Sequence, residues 1–81
     1  MRTIRHYPNR KLYDTQESHY VTLTALAEIL RQGEEIQVID RETGRDLTAA
    51  TLAQIIFEEE RRRPRLPVAA LRRTIQTGQI P

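Results

Sequence analysis

The stretch Ile4-Arg5-His6-Tyr7-Pro8-Asn9-Arg10-Lys11-Leu12-Tyr13-Asp14-Thr15 fixes how this chain must begin. Proline lacks a backbone donor and locks φ, so no helix runs through Pro8. Pro8 presets the second position of a turn, and Asn9 tolerates the bridge or left-handed geometry that follows. Residues 3–7 and 11–14 favour strands, so the spacing predicts a β-hairpin with a loop of two to four residues. Its register stays open, because a one-residue slip moves Ile4, His6 and Tyr7 to the other face.

The chain beyond the hairpin reads as scaffold. Gln16-Glu17-Ser18 is a polar connection and His19-Tyr20-Val21 a short strand. Thr22 is placed to cap a helix over 23–32, with Val21 and Leu26 at the staple positions and Leu23, Leu26, Ala27 and Leu30 on one stripe. Gly33 suits the left-handed residue past its end. Ile36–Asp40 is a strand, Arg41–Gly44 a turn with glycine where positive φ is needed, and Arg45-Asp46-Leu47 a segment able to pair back. Thr48 is expected to cap a second helix carrying Leu52, Ile55 and Ile56, ended by Pro64. Pro67 is expected to open a third, with Val68, Leu71 and Ile75 turned inward until Gly78. The pattern from Thr22 to Leu30 recurs from Thr48 to Ile56, an echo that a duplicated strand–helix unit or any two capped amphipathic helices would produce. The fold class that follows is a small α+β domain, an N-terminal β-hairpin and short strands packed against two or three amphipathic helices. Residues 1–63 form the domain and 64–81 a C-terminal helical extension suited to oligomerisation.

Eighty-one residues bury only roughly 60–65% of their unfolded surface, too little for a large enclosed active site. Without cysteine the chain has neither a disulfide framework nor a thiolate metal site. No apolar run approaches the roughly 20 residues of a membrane span and no signal-peptide core is present, so a cytoplasmic protein is expected. The net charge of +2 is segregated. Residues 1–13 hold Arg2, Arg5, Arg10 and Lys11 and no acid. Residues 14–60 hold all eleven acids against three arginines, and residues 61–81 hold six arginines and no acid. Basic ends around an acidic middle suggest a polyanion met by the ends, although helical surfaces and tails also sort charge this way.

Within the opening segment, Arg5, Arg10 and Lys11 are suited to phosphate or guanine, and Asn9 to an adenine edge or to fixing its own turn. Tyr7 and Tyr13 would brace the ribbon; Arg2 and His6 complete the candidate nucleic-acid-binding set. A two-stranded ribbon fits the major groove. The competing structural explanation is an exposed hairpin with solvated cations and tyrosines packed on the helices. The second basic run, Arg61 to Arg65 with Arg72 and Arg73, is better explained by pairing with Glu58–Glu60 and by the helix dipole. His6 and His19 lack the spacing of a zinc site, so no metal is expected. No catalytic residues and no cofactor are expected either: no cysteine nucleophile or glycine-rich phosphate loop is present, and the threonines coincide with caps and turns.

The run Tyr7-Pro8-Asn9-Arg10-Lys11-Leu12-Tyr13-Asp14-Thr15 is long and unusual. Together with Tyr20-Val21-Thr22-Leu23, Val38-Ile39-Asp40, Thr43-Gly44, Asp46-Leu47-Thr48, Leu52 and Gln54-Ile55-Ile56, it resembles the N-terminal DNA-binding domain of the polyhydroxyalkanoate (PHB) synthesis repressors, over roughly residues 2–60. The resemblance implies a bacterial repressor-type transcriptional regulator of polyhydroxyalkanoate and phasin genes, binding double-stranded DNA and released when polymer accumulates. A homodimer is the expected assembly. In such regulators polymer sensing is linked to a C-terminal region that would follow Pro81, so the polymer is not an expected partner of these 81 residues. Arg45 departs from the acid often found after the Thr-Gly turn. The alternative function is a protein–protein interaction module without nucleic-acid contact; single-stranded RNA stacking on the tyrosines is a further one.

Overall fold

The computed structural model describes residues 1–78. Strands β1 (Arg2–His6), β2 (Leu12–Asp14) and β3 (His19–Val21) are followed by α1 (Leu23–Arg31), β4 (Ile36–Asp40), α2 (Thr48–Arg62) and α3 (Val68–Thr77). The four strands form one sheet in the order β3-β2-β1-β4. β1 runs antiparallel to β2 and parallel to β4, and β2 runs antiparallel to β3. The small α+β fold expected from the sequence is the fold observed.

Register is set by which side chains can be buried. Ile4, Leu12, Ile36 and Val38 point to one face and form the core with Leu26 and Ala27 of α1 and Ile55 of α2. Strand side chains alternate, so this commits Thr3, Arg5, Tyr13, Tyr20, Gln37 and Ile39 to the opposite face. The described helices cover only the first face, and the second is left open.

The caps follow local chemistry, with one exception. The Thr22 hydroxyl accepts the Ala25 N–H at 3.1 Å and starts α1 as expected. Thr48 does not cap α2: its hydroxyl accepts the Val38 N–H at 2.8 Å, pinning the helix start to β4. Residues 45–47 pair back on the same strand, with Leu47 N–H donating to Val38 O and Asp40 N–H to Arg45 O. Gly33 and Gly44 take the positive φ expected of them. α2 ends before Pro64, and Gly78 closes α3 in the left-handed conformation.

A further sequence expectation fails beside the Thr48 cap. Val68, Leu71 and Ile75 do not turn inward: they are 65%, 44% and 82% exposed, and no residue of α3 is buried. In the hairpin loop the left-handed residue is Arg10, at φ 66°, and of the two geometries open to Asn9 the left-handed one is not taken. Tyr7 N–H donates to Lys11 O and Arg10 N–H to Tyr7 O, both at 2.9 Å, giving a three-residue loop of Pro8, Asn9 and Arg10. A type I turn extended by one residue needs its left-handed position after the turn, which is where Arg10 stands.

Candidate nucleic-acid interface

The open face is built from side chains the register brings into rows. Arg5 of β1 pairs with Tyr13 of β2 and with Ile39 of β4, and Tyr13 pairs with Tyr20 of β3. One row across the sheet therefore reads Tyr20, Tyr13, Arg5, Ile39. Tyr7, at the base of the hairpin loop, completes an aromatic cluster with centroids 5.3 to 6.3 Å apart and every pair edge-to-face. That arrangement suits the ring quadrupoles and makes the cluster rigid. Lys11 Nζ lies 5.2 Å from the Tyr20 ring and the Arg41 guanidinium 5.3 Å from that of Tyr7. Both cations are thereby held at the edge of the face rather than swinging free. With Arg5 they surround the tyrosines, and the strand positions on this face include no acid.

The residues singled out from the sequence divide. Arg5, Tyr7, Lys11 and Tyr13 come together on this face, and Arg10 is exposed at the hairpin tip. Asn9 is also at the tip, but its Oδ1 accepts the Lys11 N–H at 3.1 Å and so forms the turn. His6 shares the parity of Ile4 and lies beside Asp40 in register, on the helix-covered face. Arg2 is 8% exposed, with Nε 3.3 Å from Asp14 Oδ2 and Nη1 donating to Glu34 Oε2 at 3.0 Å. Its alternation with Ile4 carries it inward, where it ties β1 to β2 and to the start of β4. Arg2 is thus a structural cation, and no phosphate can reach it without breaking that pairing.

Sequence reasoning left Tyr20 and Arg41 out of the set. The signal for Tyr20 is its position opposite Tyr13 once the β2–β3 register is known. Arg41 is signalled by parallel pairing, since its N–H donates to His6 O and brings it beside Tyr7.

Residues 3–63 match the family described as the PHB/PHA accumulation regulator DNA-binding domain. The chain belongs to that family. The accumulation-regulator domain is 42% identical over 59 residues to an uncharacterized protein of Allochromatium vinosum, covering 73% of this chain and 39% of that protein. It is 41% identical over 59 residues to an uncharacterized protein encoded in the phbA 5′ region of Thiocystis violacea, covering 73% and 43%. The chain thus spans about two fifths of the length of these curated relatives. No solved structure matches it. The matched segment contains the sheet from Thr3 onward, α1 and α2, and stops short of α3. Among the described residues no helix is long and apolar enough to cross a membrane.

Proposed function

We propose that this accumulation-regulator domain binds duplex DNA with its hairpin tip in the major groove and the open sheet face along the sugar–phosphate backbone. In this reading it acts as a cytoplasmic repressor of polyhydroxyalkanoate and phasin genes and works as a homodimer. The observation that carries the DNA mode is the open face, without an acid at its strand positions, on which Arg5, Lys11 and Arg41 surround three edge-to-face tyrosines.

Width argues for the division of labour. Four strands spaced about 4.8 Å apart span roughly 14 Å before side chains are counted, whereas the major groove is about 12 Å wide. The flat sheet cannot sink into the groove, but the three-residue loop can. Arg10 at its tip is suited to a guanine edge, where arginine donates two parallel hydrogen bonds. Asn9 needs both ends of its amide to pair with adenine and has committed one to the turn, so its role is to shape the loop. Arg5, Lys11 and Arg41 meet phosphates, and Tyr20, 54% exposed, packs against sugar. Tyr7 and Tyr13 hold the platform flat.

The test begins with duplexes selected by gel shift from a random pool, with affinity then followed against salt. Arg5→Ala, Lys11→Ala and Arg41→Ala should each weaken binding and flatten the slope of log K against log salt by about 0.9 for every phosphate left without its cation. Arg10→Ala should relax sequence preference. Unchanged affinity in the Arg5→Ala/Lys11→Ala/Arg41→Ala triple variant would overturn the proposal. Preference for single strands over duplex would transfer the face to base stacking instead.

A further inference from the structure

The three glutamates that the sequence offers as partners for the second basic run are taken by other groups. Glu58 pairs with Arg61 at 3.6 Å, and Glu59 pairs with Arg31 of α1. The Glu60 carboxylate accepts the backbone N–H groups of Arg65 at 2.8 Å and Leu66 at 3.1 Å. Among the described residues, the exposed side chains of Arg62, Arg63 and Arg65 therefore have no carboxylate partner. The helix dipole does not explain the rest, because α2 ends at Arg62 and leaves Arg63 and Arg65 beyond it. Pairing and dipole account for Arg61 and Arg62 and for none of the cations that follow.

These side chains are gathered, not scattered. The bonds to Glu60 fix the linker to the end of α2 and so bring Arg65 beside Arg62 and Arg63. With Arg31 they border a cleft of about 460 Å³ whose apolar wall is Ile56 and Leu66. Four guanidinium groups against Glu59 and Glu60 leave the lining positively charged. Planar forks of this kind bind phosphate oxygens in pairs. The cleft also connects to the hairpin. A hollow of about 280 Å³ shares Glu59 and Arg62 with it and reaches Leu23 and Thr24 at the start of α1. A third, of about 360 Å³, shares Leu23 and reaches Lys11 and Arg10 at the hairpin loop. One surface thus runs from the loop, past a helix start whose first turn carries no acid, to the arginine cleft.

We infer that Arg62, Arg63 and Arg65 form a second phosphate contact to the same duplex, on the side of the hairpin away from the open sheet face. The inference rests on the DNA mode proposed above. A loop inserted in the major groove has a phosphate backbone on either side of it. The open face meets one backbone, and the helix-covered side, where the arginine cleft lies, meets the other. The reach is sufficient, since the longest extent of the molecule is 39 Å and one turn of duplex covers about 34 Å. The partner is the duplex and not an acidic protein segment because the cleft continues a surface that begins at the groove-reading loop. Contacts to phosphate carry no sequence information, so this patch adds affinity and salt dependence and leaves base preference to Arg10.

Two double variants with the same loss of charge test it on the duplex selected by gel shift. Arg62→Ala/Arg63→Ala alters the cleft, and Arg72→Ala/Arg73→Ala alters α3 outside it. The cleft variant, with unchanged circular dichroism, should flatten the slope of log K against log salt by about 1.8 and bind about 10-fold more weakly. Its order of preference among duplexes should match that of the wild type. The α3 variant should keep the wild-type slope to within about 0.5. Equal losses in the two variants would mean that net charge alone matters and would overturn a located contact. An unchanged slope in the cleft variant, beside a loss in the Arg5→Ala/Lys11→Ala/Arg41→Ala variant, would overturn this contact and leave the sheet-face reading standing. Loss in the cleft variant alone would move the duplex to the helix side and overturn the two-sided grip. A wild type that binds no duplex would overturn both readings.

Discussion

At the scale of single residues, the opening segment holds two kinds of cation that look alike in sequence. Arg2 is buried against Asp14, which is 1% exposed. The Arg2 Nε–Asp14 Oδ2 separation of 3.3 Å is Coulombic contact without an aligned hydrogen bond, while Asp14 Oδ1 accepts the N–H of Gln16 at 2.9 Å. Removing one member of a buried pair strands the other, so Arg2→Ala should lower unfolding free energy by about 3 kcal/mol in urea denaturation. Replacing both, Arg2→Met with Asp14→Asn, should recover part of that loss. Arg10 is the opposite case. A non-glycine residue in the left-handed region costs about 1 kcal/mol, so Arg10→Gly should leave stability within about 1 kcal/mol of wild type, strain relief offsetting added chain entropy, while DNA affinity falls. The basic turn itself was legible from the sequence; the separation of Arg2 from Arg5 was not, because it depends on a register that one residue of slip inverts.

At the scale of elements, the sequence identified every described helix and strand because each carries its own periodicity and stops. The end of α1 at Arg31 and the strand Ile36–Asp40 fall where capping and alternation put them. What periodicity cannot supply is the surface a stripe meets. Val68, Leu71 and Ile75 have the same spacing as a core-facing stripe, and among the described residues nothing buries them. The repeated threonines diverge for a similar reason: Thr22 binds its own helix and Thr48 binds a strand. Thr22→Ala should therefore cost about 1 kcal/mol, a cap alone. Thr48→Ala should cost more, about 1–3 kcal/mol, because it strips the Val38 N–H of its partner beside the core. The loop between β4 and α2 adds a pH dependence. The Glu42 N–H, accepted at 2.9 Å, holds the Asp40 carboxyl below the usual carboxylate range, and the Thr48 hydroxyl and N–H do the same for Asp46. A carboxyl whose folded pKa is lowered stabilises fully above its unfolded value, near 4, and loses that contribution as pH falls through the folded value. Acid denaturation followed by circular dichroism should therefore be shallower below about pH 4 in Asp40→Asn/Asp46→Asn, whose amides keep an acceptor oxygen without the titration.

At the scale of the whole molecule, two layers leave one sheet face without a helix. Arg5, Lys11, Arg41 and three tyrosines lie on that open face, whereas the helices carry glutamates and arginines in pairs, Arg31 with Glu28 and Glu59 and Arg61 with Glu58. The third helix belongs to neither layer. Every residue of the core cluster lies between Ile4 and Ile55, so deleting residues 64–81 should leave the thermal midpoint of dilute protein within a few degrees of the full chain. The same deletion removes the exposed stripe of Val68, Leu71 and Ile75; if α3 holds the proposed homodimer, the shortened domain should stay monomeric at about 100 μM and its Tm should lose any dependence on protein concentration. On a palindromic duplex the full chain should bind with a sigmoidal isotherm and the shortened domain with two independent, weaker steps, because only the first couples its half-sites. Equal isotherms for the two chains would mean that contact with DNA, and not α3, holds the copies together.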